Sequence, residues 1–380
     1  MNNFWHDLPR PIYALAPMAG ITDSPFRRIC KRFGAAVLYG EMASVAALTH
    51  RPNKTLTLLK AMLDETPYVV QLFGSEPEQF ITAVKVLMSD VGFQMSDNSA
   101  PRDEENPTSD IRHLISGLDI NFGCPVPKVL KQGAGSALFV DLKKSHAVIK
   151  AVLDNTDLPV SVKIRAGAKE VDALKWLEAM NDLNISAVMI HGRTLAQGFA
   201  GPIDTQIIKN ARQVFGGIIL ANGGVNTLAE AKNILEQTGA DGLGLARGVL
   251  GNPWLFAELN GGAGKPKDLQ KIIDLALEHG QMFEHFKTPQ SLDGYISETA
   301  ARRFDLALEH GQMFVAPCHS LSDFKSEDCG SKKNFVEFRK HLGWYLAGLP
   351  AGRELKAKLM RANNLEEVRN IFSLIKIKTS

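Results

Sequence analysis

Between residues 12 and 258 the chain alternates short apolar runs with longer amphipathic segments, and this rhythm constrains the fold more than any other feature. The runs lie at 12–16, 36–39, 68–73, 118–121, 160–164, 187–190, 218–221 and 242–245. Segments with helical spacing follow them, as at 79–87, 146–153, 173–183 and 228–235. Strands separated by helices pair in parallel, and eight is the number that closes a barrel. A doubly wound open sheet is the alternative, but no Gly-x-Gly-x-x-Gly follows the first run. The spacing therefore predicts an α/β fold, a (β/α)8 TIM barrel over residues 1–260.

Two segments break the rhythm. A polar, acidic, proline-bearing insertion covers about residues 92–114 and is expected to be solvated and partly disordered. A ten-residue string beginning at Asp274 recurs verbatim from Asp305 to Phe314. Two copies are too few for a solenoid, so the repeat reads as a local duplication or a scar of sequence assembly. After the glycine-rich stretch 260–264 the strand signals stop, and helical patterns fill 269–286, 297–314, 334–346, 353–361 and 365–375. Residues 265–380 are expected to form a small all-α domain.

Charge matters here by distribution. The net charge is only +2, yet eleven Lys or Arg between Lys332 and Lys378 face just Glu337, Glu354, Glu366 and Glu367. A basic face on a nearly neutral chain points to a polyanion; the plain alternative is a solvated helical surface. Four scattered cysteines suit a reducing compartment better than a disulfide framework. With no signal pattern at the N-terminus and no apolar run near the ~18 residues of a membrane span, a cytoplasmic monomer without membrane contact is expected.

The run at 118–121 breaks at Asn121-Phe-Gly-Cys-Pro125, and the following loop presents Cys124, Lys128, Lys131 and Gln132 between glycines Gly123, Gly133 and Gly135. A loop this rich in reactive groups, directly after a buried strand, is where α/β enzymes keep their chemistry. For the cysteine alone, a buried structural thiol is the commoner fate.

In a parallel barrel the residues just past each strand converge on one mouth. Those ends carry Pro17, Met18 and Ala19, then Glu41, Gln71, Asn121 with Cys124, Lys163 with Arg165, and His191 with Arg193. The last two supply Asn222, Gly223 and Gly224, and Ala246 and Arg247. No His/Asp/Glu cluster has metal-ligand spacing, so no metal is expected. The set suits an anionic, aromatic, phosphorylated ligand. Loops after strands seven and eight often bind phosphate with a short extra helix, for which 251–256 is the candidate. Lys163 and His191 then lie across the mouth, where positive charge stabilises a reduced flavin.

Several stretches together resemble the tRNA-dihydrouridine synthases: Ala16-Pro-Met-Ala-Gly-Ile-Thr-Asp23, Val69-Val-Gln-Leu-Phe73, Asp119-Ile-Asn-Phe-Gly-Cys-Pro125, Val162-Lys-Ile-Arg165, His191-Gly-Arg-Thr194, Gln197-Gly-Phe-Ala-Gly-Pro202, Asn222-Gly223-Gly224 and Gly251-Asn-Pro-Trp254. Phe338-Arg-Lys-His-Leu-Gly-Trp-Tyr345 continues the likeness into the helical region. The resemblance implies an FMN-bearing barrel, a helical tRNA-binding domain, and NADPH-dependent reduction of uridine in the tRNA D-loop. Departures are Gly224 where Asp is common, Ala246 where Gly is usual, the acidic insertion and the duplicated string.

Under that resemblance Cys124 is the general acid, since a thiol with a pKa of about 8.5 keeps its proton at neutral pH. Asn121 is expected to bond the uracil edge, and Gln71 and Lys163 the flavin. Arg165 and Arg193 are expected to meet nucleic-acid phosphate or the flavin, with Arg339 and Lys340 among the tRNA contacts. Three other readings stay open at this point. One is an FMN-dependent reductase of a small pyrimidine, one a flavin-free lyase using Lys163 as a Schiff base, and one a catalytically silent RNA-binding barrel.

Overall fold

The computed structural model describes residues 3–50, 52–89, 114–287, 331–347 and 352–373. The acidic insertion (but for residue 114), the second copy of the repeat, Cys318, Cys329 and the expected helix at 297–314 lie outside the described residues. The chain divides into two compact units, Met1–Pro266 and Lys267–Ser380.

The first unit is a closed parallel barrel. Its strands are β1 (Ile12–Leu15), β2 (Val37–Tyr39), β3 (Tyr68–Phe73), β4 (Ile115–Asn121), β5 (Val160–Arg165), β6 (Ala187–His191), β7 (Ile218–Asn222) and β8 (Gly242–Leu245). Each pairs with its sequence neighbour, and β1 closes on β8 with Ile12 opposite Gly242. The eight expected runs are the eight barrel strands. A two-residue strand, Ala43–Ser44, adds to β3 only. The hairpin Gly167–Ala168 with Val171–Asp172 follows β5; both lie in short polar or glycine-bearing stretches with no apolar period to betray them.

β4 starts earlier than its apolar run because Ser116 and Gly117 are strand residues without apolar side chains. The Ser116 hydroxyl accepts from the Tyr68 amide at 3.1 Å. A methyl group on Gly117 would sit 3.0 Å from the Pro159 carbonyl oxygen. The helix expected over 173–183 ends at Glu178, and the chain goes on in three-residue turns, with Met180 bonded to Leu177 and Leu183 to Met180.

Alternation along the strands separates two cores. Inward side chains, among them Ile12, Ala14, Val37, Tyr39, Val69, Met189 and Leu220, fill the barrel, and Trp5 packs with them. Outward side chains such as Leu38, Leu72, Leu118, Val162 and Ile190 pack with the surrounding helices. Those helices start on side-chain caps: Asp23, Asp141, Asp204 and the Thr227–Glu230 capping box each satisfy amides of a first turn.

The second unit is helical: Leu269–Lys287, Ser331–Tyr345, Gly352–Leu359 and Leu365–Ser373. Phe283, Phe335, Phe338, Leu342 and Phe372 are buried in it. Gly280 allows a close helix crossing, since a methyl group there would lie 2.5 Å from the Leu365 side chain. Among the described residues no helix is long and apolar enough to cross a membrane.

Candidate active site

Parallel register stacks the polar inward residues in rows across the barrel. Gln71 on β3 lies opposite Asp119 on β4, which lies opposite Ser161 on β5. One step nearer the mouth Asn121 lies opposite Lys163, and beyond that Arg165 lies opposite His191, itself opposite Asn222. The sequence positions expected to converge at the strand ends from β3 to β7 are therefore brought together.

The Cys124 loop is built by hydrogen bonds from two neighbours. Asn121 Oδ1 accepts from the amides of Gly123 at 3.0 Å and Cys124 at 2.9 Å. Its Nδ2 donates to Gln71 Oε1 at 2.9 Å and approaches the Met42 sulfur at 3.8 Å. From the other side Arg165 Nε donates to the Gly123 carbonyl at 2.7 Å. Gly135, at φ +60°, lets the returning chain pass, because a methyl group there would stand 2.9 Å from Cys124 Cβ. The Ser136 amide closes the loop on the Cys124 carbonyl at 3.1 Å. Burial pushes the Cys124 thiol above its ordinary pKa, outweighing the amide of Val126 and the charges of Arg165 and Lys163. The thiol therefore holds its proton at neutral pH.

Three expected ligand contacts are thus engaged within the protein. Asn121 shapes the loop; both its amide hydrogens have protein partners. Arg165 Nη1 also donates to the carbonyls of Thr194 and Gly198, at 3.2 and 2.9 Å. Arg193 Nε donates to those of Ala200 and Gly201, at 3.2 and 2.8 Å. The two arginines fasten the loop that follows β6. At its tip Phe199 is 58% exposed, with the Arg247 guanidinium 5.0 Å and the Arg165 guanidinium 5.7 Å from its ring centre.

Cations set the electrostatics. Burial, then Arg165, push Lys163 down to about 8, against the opposing pull of Asp119. Burial and four cations, Lys163, Arg165, Arg193 and Arg247, hold His191 at about 2, so its imidazole is neutral through the working range. Among the described residues the Lys163 ammonium forms no ion pair or hydrogen bond.

The β1, β7 and β8 ends complete the ring. The turn 17–20 is held by Thr22, whose hydroxyl bonds the Met18 backbone, and by Glu41, which accepts from the Gly20 amide. Pro17, Met18 and Ala19 sit on this turn. Asn222 Nδ2 donates to the Gly244 carbonyl at 2.6 Å, so it ties β7 to β8. Gly223 and Gly224 follow at φ +101° and +73°. Gly223 packs so close to His191 that a methyl group would meet the ring at 2.8 Å. The amides of Gly223, Gly224, Ala246 and Arg247 donate to no acceptor among the described residues. Arg247 opens a short 3-10 turn, Arg247–Val249, and the expected extra helix is Trp254–Leu259 with Pro253 at its cap. These unspent amides beside the Arg247 guanidinium could hold a phosphate.

In the helical unit Arg339 is half-buried and spent internally, donating to the Ala362 carbonyl at 2.6 Å and to Asn363 Oδ1 at 3.0 Å. Lys340 is half-buried on the same helix. Lys356, Lys358 and Arg361 are exposed. The site residue that sequence reading missed is Asp119, fully buried one row below Asn121. Its signal was the period of two: Asp119 and Asn121 share a strand face, as do Ser161, Lys163 and Arg165. Among the described residues no three His, Cys, Asp or Glu side chains gather as metal ligands do.

A family profile described as "Dihydrouridine synthase (Dus)" matches residues 14–97 and 89–306. The chain is 33% identical over 359 residues to the "Probable tRNA-dihydrouridine synthase" of Rhizobium leguminosarum bv. phaseoli, covering 93% of this chain and 92% of that protein. It is 31% identical to the "Probable tRNA-dihydrouridine synthase" of Rickettsia bellii, over 92% of this chain and 90% of the relative. It is 30% identical to the "tRNA-dihydrouridine synthase B" of Pseudomonas syringae pv. tomato, over 94% and 90%. With the thiol loop, the cationic mouth and the barrel from Ala14 onward inside the matched span, the chain belongs to the dihydrouridine synthase family.

Proposed function

We propose that this chain is an FMN-dependent, NADPH-driven tRNA-dihydrouridine synthase that reduces uridine to 5,6-dihydrouridine in the tRNA D-loop. The observation that carries the reading is the Cys124 thiol, kept protonated on a loop braced from both sides at the mouth of a cationic barrel.

The residues present fit FMN. Unspent amides at Gly223, Gly224, Ala246 and Arg247, with the Arg247 guanidinium, suit one phosphate. The turn of Pro17, Met18 and Ala19, with Gln71, Lys163 and His191, would line the ring. A neutral His191 can offer a single N–H without adding charge, while Lys163 supplies the cation. When bound and reduced, FMN would supply a hydride for carbon 6 of the uracil.

The protein has to deliver a proton to carbon 5 from the other face of the base. Cys124 fits that role as general acid: its proton passes to carbon 5 and the thiolate left behind faces Arg165 and Lys163, which stabilise it. Asn121 and Arg165 hold the donor still, as a positioned general acid requires. The target base must leave the tRNA stack to enter the mouth, at a cost of a few kcal/mol. Exposed cations of the helical unit, Lys356, Lys358 and Arg361, are the stronger candidates for holding the tRNA body, with Lys340 beside them.

One observation favours a second reading. A lysine pushed down to about 8 is a better amine nucleophile than an ordinary one, as a Schiff-base lyase needs. The test separates them. Protein incubated with FMN, NADPH and unmodified tRNA should yield dihydrouridine by nucleoside mass spectrometry. No dihydrouridine, together with borohydride trapping of a carbonyl substrate on Lys163, would replace the synthase reading by the lyase.

A further inference from the structure

Beneath the Cys124 loop runs a chain of hydrogen bonds that starts on a carboxylate to which no role has been given. Ser161 Oγ donates to Asp119 Oδ1 at 2.6 Å, and Gln71 Nε2 donates to Asp119 Oδ2 at 2.7 Å. Asn121 Nδ2 donates in turn to Gln71 Oε1 at 2.9 Å, and Asn121 Oδ1 accepts the Gly123 and Cys124 amides. Asp119 is fully buried, Gln71 is 1% exposed and Asn121 7% exposed, so water is a poor substitute partner for the first two links.

The direction of this chain is its point. A carboxamide is nearly symmetric in shape, and either end can face a neighbour. A carboxylate can only accept. Asp119 therefore forces Gln71 to turn its NH2 inward and its oxygen toward Asn121. An oxygen there can only accept, so Asn121 must offer its NH2, which leaves Oδ1 for the two loop amides. Were Gln71 turned the other way, Asn121 would present hydrogens to the Gly123 and Cys124 hydrogens, and both loop bonds would be lost. One acceptor at the barrel's interior thus decides the conformation two side chains away.

We propose that Asp119 is a positioning residue: through Gln71 it fixes the orientation of Asn121 and so holds the Cys124 loop in its reactive shape. The inference rests on the proposed function for its catalytic meaning, while its structural content stands apart from it. Asp119 touches neither the thiol nor, on this reading, the substrate.

The test compares Asp119→Leu, which removes the acceptor while keeping the same branched heavy-atom skeleton, with Asp119→Asn. The latter keeps an oxygen for Gln71 and can turn its NH2 to the Ser161 hydroxyl. Residue-resolved amide hydrogen exchange of Gly123 and Cys124 reads the loop without cofactor or tRNA, and so apart from any activity. Asp119→Leu should speed exchange at both amides on the order of tenfold, the worth of a lost hydrogen bond of about 1.4 kcal/mol. Asp119→Asn should restore most of the protection. Uridine reduction should fall in parallel for Asp119→Leu, with reduction of the bound flavin by NADPH retained. If Asp119→Leu does not fold, Gln71→Met cuts the chain one link nearer the loop and must loosen the same two amides. Unchanged exchange in the variant that folds overturns the proposal, as does an Asn variant as loose as Leu, since charge and not the acceptor would then govern. Protected amides that respond as expected, in a protein that makes no dihydrouridine, would instead overturn the function.

Discussion

Arg165 Nε donates to the Gly123 carbonyl at 2.7 Å, which fastens the end of β5 to the loop carrying Cys124. The same guanidinium reaches the Thr194 and Gly198 carbonyls, so one side chain joins two active-site loops. Arg165→Met should free both loops. We expect faster amide exchange across residues 123–124 and 194–198, and uridine reduction lowered by roughly 10–100-fold, since small misplacements of a catalytic group carry costs of that order. Arg165→Lys, which lacks the fork, should recover only a minor part. A variant with parental exchange in both loops would remove Arg165 from this role.

Cys124→Ala should keep bound flavin and its reduction by NADPH, and lose uridine reduction by roughly 10²–10⁴-fold, the usual worth of a general acid. Stopped-flow flavin absorbance separates the two half-reactions. Because burial raises the thiol's pKa, alkylation of Cys124 by iodoacetamide should accelerate only above the pH at which an ordinary thiol, near 8.5, begins to ionise. Peptide mass spectrometry across a pH series reads that rate. Rapid labelling at pH 7 would mark a thiolate and contradict the acid role.

Lys163 carries a charge that changes just above neutral pH. Its pKa in the fold, about 8, lies below that of a free lysine, so its ammonium is lost as pH rises through 8. An anionic ligand in the mouth then loses its partner, and FMN affinity, read by fluorescence titration, should weaken above pH 8. Lys163→Met should flatten that step. For the ligand-free fold the sign is opposite: the buried charge destabilises below pH 8, and this penalty is relieved between about 8 and the lysine value near 10.4.

The helical unit gives two contrasting outcomes from residues of one charge. Lys356→Glu, Lys358→Glu and Arg361→Glu combined should weaken tRNA binding and flatten its salt dependence, because each phosphate contact releases counterions. Flavin reduction by NADPH should not change. Arg339→Ala should instead lower the thermal stability of the unit by about 1–3 kcal/mol, since its guanidinium bonds Ala362 and Asn363. Filter binding at several salt concentrations and thermal melts distinguish them.

How much of this could be read from the sequence follows from which residues advertise themselves. Apolar runs of four residues locate strands such as Ala187–His191 and Ile218–Asn222 because burial on both faces leaves few polar positions to blur them. Cys124, Lys163 and His191 stand out at strand ends because the barrel geometry says where ends converge. Asn121, Arg165 and Arg193 were legible as site residues but not as loop fasteners, since their partners are backbone carbonyls and amides that a sequence does not display. Arg339 looked like a phosphate contact for the same reason. Asp119 was hidden in the middle of an apolar run, where a single carboxylate reads as an irregularity until β3 and β5 bring Gln71 and Ser161 beside it.

The seam of the barrel joins the strand made first to the strand made last, with Ile12 opposite Gly242. A methyl group at Gly242 would fall 2.0 Å from the Ile12 carbonyl oxygen, so the ring closes at a residue with no side chain. During synthesis β1 must therefore wait for more than two hundred residues before its partner leaves the ribosome. The turn of Met18 and the amides of Ala246 and Arg247 come within reach of each other only then. No nascent chain that stops short of β8 assembles a complete mouth.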